Sequence, residues 1–102
     1  DNMTKFKVLF KGMMDDLKDA EMMIDYACKL KDSEEDKGFS AEIAKYAKTR
    51  LEHFMVFHKM FEDEIAKEKN IGKETVQECM WKEIHEMYQD WYNNIDRKIK
   101  KY

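Results

Sequence analysis

From Ala41 to Lys69 the chain holds no Gly or Pro, and its apolar residues recur at steps of three and four. Ile43, Ala47, Leu51, Phe54, His58, Phe61 and Ile65 share that spacing. A helix turns once in about 3.6 residues, so this spacing stacks them on one face. Tyr46, Arg50, Phe57 and Met60 flank the stripe, while Glu42, Lys45, Lys48, Glu52, Lys59, Asp63 and Lys67 fall mostly on the far side. The pattern predicts one long helix, with Ser40 as its N-cap and Asn70 and Gly72 as its stop. Asp63 and Lys67 are placed to pair one turn apart.

The same period runs from about Met3 to Lys31. Phe6, Phe10, Met13, Leu17, Ala20, Ile24 and Ala27 form the main stripe, widened by Leu9, Met14, Met23 and Leu30. Gly12 sits inside it at a cost of about 1 kcal/mol relative to Ala. Asp25 and Lys29 form another expected pair. Asp32 to Gly38 reads as a polar, acidic turn, with Phe39 tucked under the start of the second helix. A second turn, Ile71 to Glu74, precedes a capping box made by Thr75 and Glu78. The third helix then runs to the end. Val76, Met80, Ile84, Met87, Trp91 and Ile95 line one stripe, with Trp81, His85, Tyr88, Tyr92 and Ile99 beside it. Arg97, Lys98, Lys100 and Lys101 close it, where positive charge suits the helix dipole. Short turns between long helices make antiparallel neighbours. The expected fold is all-α: an antiparallel bundle of three long helices, in a single domain spanning residues 1–102.

Composition narrows the function. With 43% hydrophobic and 40% charged residues, the chain suits amphipathic helices that bury one face. A net charge of -3 gives no electrostatic footprint for nucleic acid. No stretch reaches the roughly 20 apolar residues a bilayer span needs. Lys5, Lys7 and Lys11 interrupt the one apolar run near the start, so it is no signal-peptide core. A cytoplasmic location is expected, with Cys28 and Cys79 as reduced, core-lining thiols. Abundant Lys, Glu, Asn, Ile and Met without Pro fits a low-GC bacterium or its phage.

Candidate chemistry is sparse. Ser33 and Ser40 are turn residues, neither cysteine has a histidine at helical spacing, and no Gly-rich phosphate loop occurs. The nine methionines read as flexible core filling. The third helix is apolar over a wider arc than two neighbours would cover. Trp81, Tyr88, Trp91 and Tyr92 are therefore expected to meet a fourth helix from a second copy, giving a homodimer, or from another helical protein. His58 and Glu62, one turn apart, project the same way and can share a metal. A di-metal carboxylate site wants about six such ligands. Asp16, Asp19, Glu21, Glu83, His85 and Glu86 are the other candidates, but most fall where outward charge is expected.

Ala44, Ala47, Arg50, Leu51, Glu52, His53 and Phe54, ending in Phe57 and His58, resemble the second helix of ferritin-like proteins, the rubrerythrin type especially. In that family this helix carries a Glu-x-x-His step that binds iron or manganese. Aligning His53 with the family histidine puts Arg50 at the glutamate position, and aligning His58 puts Met55 there. A guanidinium cannot ligate a cation. The resemblance covers about the first seventy residues. It implies a ferritin-like scaffold that has lost, or never had, its metal centre. The resulting expectation is a non-enzymatic helical protein, without cofactor, that acts through self-association or protein–protein contact. The alternative is a ferritin-like metalloprotein with a di-metal oxidase or iron-handling role, using His53, His58 and Glu62.

Overall fold

The computed structural model describes residues 2–70 and 76–102, the side chains of residues 2, 70, 76, 77 and 80 excepted. The described residues form three helices, α1 (Asn2–Leu30), α2 (Lys37–Asn70) and α3 (Val76–Lys101), and contain no strand. Their apolar stripes supply the core. Met13, Leu17, Ala20, Ile24, Ala27, Ala47 and Ile95 are wholly buried. Each large aliphatic side chain removed from water contributes about 1.5–3 kcal/mol, which makes this packing the main source of stability.

α1 and α2 pack along most of their length. Phe6 meets Phe61 with ring centroids 4.9 Å apart, Gly12 meets Phe57, Arg50 meets Asp16, and Ser40 meets Ala27. Residue numbers thus rise along α1 as they fall along α2. α3 lies over one side of this pair. Trp81 stacks on Phe61 at 4.4 Å, Tyr92 sits 5.3 Å from Phe54, and Lys98 reaches Asp25.

The start of α2 differs from the expectation. Ser33, not Ser40, caps it: the amides of Asp36 and Lys37 donate to the Ser33 carbonyl, and the Asp36 amide also reaches Ser33 Oγ at 3.3 Å. Ser40 is fully buried one turn inside, where its hydroxyl donates to the Ala27 carbonyl at 2.6 Å and lies 2.7 Å from the Tyr102 hydroxyl. Because the helix begins early, Phe39 is part of it and stands exposed, edge-on to Tyr26.

Two expected same-helix pairs give way to other partners. Asp63 is taken by Lys59 at 2.7 Å, and Lys67 turns to Glu64, the less exposed acid, which also faces Lys5 of α1. Asp25 bonds Lys98 rather than Lys29, because α3 covers that edge of α1. Cys28 is half-buried against the core, but Cys79 is exposed, so only one thiol lines the interior. The expected turn at Ile71–Glu74, the Gly72 stop and the Thr75 half of the capping box lie outside the described residues. Glu78 pairs with Lys69 at 2.9 Å. No helix among the described residues is long and apolar enough to cross a membrane.

Candidate functional site

The aromatic residues of α3 point inward. Tyr88 is 2% exposed, between Phe10 of α1 and Phe54 of α2, with ring centroids about 6 Å away on either side. Its hydroxyl has no hydrogen-bond partner, and burial raises its pKa far above the ordinary value of 10.0. Trp81, Trp91 and Tyr92 are half-buried against the same core, and the Trp91 indole N–H donates to Glu21 at 3.2 Å. These four residues were the expected contact with a fourth helix. Within one chain α1 and α2 already cover much of them, and Tyr88 has no surface to offer while the helices are packed.

The histidines separate into two places. His58 Nδ1 lies 2.7 Å from Glu62 Oε1, as the one-turn spacing predicts, and its ring neighbours Trp81 and His85 at 5.1 and 5.4 Å. Burial lowers the His58 pKa below 6.5; His85 adds to the shift and Glu62 opposes it. His53 lies on another face, exposed, near enough to Asp16 for its charge to favour that carboxylate. Five residues along a helix is about 140° around its axis, so His53 and His58 cannot converge. Among the described residues no group of three or more His, Cys, Asp or Glu side chains is placed to hold a metal.

Arg50 stands where the ferritin-like pattern requires a glutamate, and its guanidinium reaches Asp16 at 3.3 Å and Asp19 at 3.6 Å. Asp16 is buried, and its second oxygen, Oδ2, has no partner. Burial raises the Asp16 pKa from 3.8, with Arg50 pulling the other way. A tethered cation already occupies the space between these carboxylates. Among the described residues, Arg50 thus stands where the ferritin-like pattern would place a ligand.

The Arg50 cluster lies on the side of the α1–α2 pair away from α3. On α1, the residues that meet α3 (Phe10, Glu21, Asp25) and those of this second side (Lys5, Gly12, Asp19, Tyr26) flank the core row from opposite directions. Large apolar side chains stand open on this second side: Val8 is 63% exposed, Tyr46 58%, Phe39 56%, Tyr26 50% and Met60 47%. The sequence carried a sign of it in Tyr46, Phe57 and Met60, which flank the apolar stripe of α2 on this side. Elsewhere, an apolar hollow of about 230 Å³ opens between Phe6, Phe10, Phe61, Trp81 and Ile84. It is smaller than the roughly 300–1,000 Å³ usual for small-molecule sites, and its lining brings no set of polar groups together.

No protein-family model, curated protein or solved structure matches the chain.

Proposed function

We propose that this chain is a non-enzymatic, single-domain antiparallel three-helix bundle that works through self-association. One observation carries the reading: a long side of the α1–α2 pair leaves Val8, Tyr26, Phe39, Tyr46 and Met60 largely in water. A lone exposed apolar residue needs no explanation, but apolar groups that recur along one side of a helix pair mark a contact surface. The ferritin-like likeness of α2 is compatible with such a scaffold, with Arg50 holding Asp16 and Asp19 across the helix pair. The test is sedimentation equilibrium over a wide range of protein concentration. The expected result is a mass that rises to twice that of one chain. A mass that stays at one chain up to high micromolar protein overturns the reading.

A further inference from the structure

We infer that the open side of the α1–α2 pair docks on the same side of a second copy, about a two-fold axis running parallel to the helices. This rests on the self-association reading and goes beyond it by naming the surface and the arrangement.

The argument is the order of residues along the two rows. On α1 the row reads Val8, then Asp15 and Asp19, then Tyr26. On α2, followed at the same heights, it reads Met60, then His53 and Arg50, then Tyr46 and Phe39. The lateral contacts fix those heights: Lys5 with Glu64, Val8 and Met60 lining one hollow, Asp19 with Arg50, and Tyr26 with Phe39. Each row is therefore apolar, charged, apolar. The charged middle carries Asp15, paired with Lys11, and Asp19 on α1, and Arg50 on α2.

Two face-to-face arrangements have two-fold symmetry. An axis across the helices sets α1 on α1 and α2 on α2. Asp19 then opposes its own copy and Arg50 opposes Arg50, and like charges brought together in an interface repel. An axis along the helices sets α1 of one copy on α2 of the other without changing height. Val8 then meets the partner's Met60, Asp15 and Asp19 face the partner's Arg50 and His53, and Tyr26 meets the partner's Phe39 and Tyr46. Every lateral pair within the chain is repeated across the contact. The size also suits: helices of 29 and 34 residues lie side by side. A face about 43 Å long and roughly 20 Å wide gives the ~800 Å² per chain that stable interfaces bury.

The test uses exposed positions, so that the monomer fold is left alone. One variant carries Val8→Asp with Met60→Asp, and the other Val8→Lys with Met60→Lys. Circular dichroism checks that both remain helical. Each alone is expected to lose dimerisation by about a hundredfold, since symmetry places every substitution in the contact twice. Mixed one to one, the two are expected to form a heterodimer, because the new aspartate at position 8 then faces the new lysine at position 60. Variants that dimerise as the wild type does overturn this surface while self-association stands. Monomeric variants that fail to combine overturn the axis along the helices. A wild type that is monomeric throughout overturns both the surface and the functional reading.

Discussion

Tyr88 and His58 line one hollow in the seam beneath α3, and each holds a polar atom where water is scarce. The Tyr88 hydroxyl is buried without a partner, so the fold bears its desolvation with no bond in return. Tyr88→Phe keeps the ring and removes the orphan oxygen. It is expected to raise stability by about 1 kcal/mol, read as a shift of the urea midpoint at unchanged slope. For His58 the sign follows from its depressed pKa. Below 6.5 the unfolded chain takes up a proton that the folded chain resists. Its stabilising contribution is therefore whole above pH 6.5 and is lost as pH falls through the folded value. His58→Gln removes that proton. Urea midpoints of wild type and variant, followed from neutral into mildly acid pH, should converge below 6.5, with the variant falling less steeply.

Among the elements, α1 shows how close packing overrides propensity. A Cβ at Gly12 would stand 2.9 Å from Phe57 Cε2, closer than carbon atoms tolerate. Gly12→Ala should therefore forfeit the helix gain of about 1 kcal/mol and destabilise by roughly that amount, because overpacking costs more. In a Phe57→Ala background the same substitution should stabilise by about 1 kcal/mol; a double-mutant cycle in urea measures the reversal. Periodicity made the helices and their core rows legible: Met13, Leu17, Ala20, Ile24, Ala47 and Ile95, all on predicted stripes, are wholly buried. The His58–Glu62 contact was equally readable, since one helical turn fixes it. Less readable was anything decided between helices. Lys98 on Asp25 and Arg50 on Asp16 are cross-helix choices that same-helix spacing does not encode. The sequence also gave no way to tell which flank of a wide apolar arc α3 would cover. Much of the wide arc on α3 is met by Phe10, Phe54 and Phe61 of the other two helices.

Taken whole, the molecule is elongated, 59 × 22 × 15 Å, so it exposes much surface for its mass. A dimer that exists only in the folded state would draw stability from mass action, and its melting temperature should climb with protein concentration. The bond between Ser40 and Tyr102 spans 62 positions and, through Ala27, ties one end of all three elements together. During synthesis α3 leaves the ribosome after α1 and α2. The α1–α2 hairpin, whose partners have by then emerged, is free to close before α3 arrives. Until it does, the seat of Trp81 and Tyr88 on Phe10, Phe54 and Phe61 stands open, and Ser40 bonds to water. Docking of α3 is thus the step that closes this greasy groove on the nascent chain, and a ribosome stalled within α3 would leave a sticky hairpin that invites chaperones.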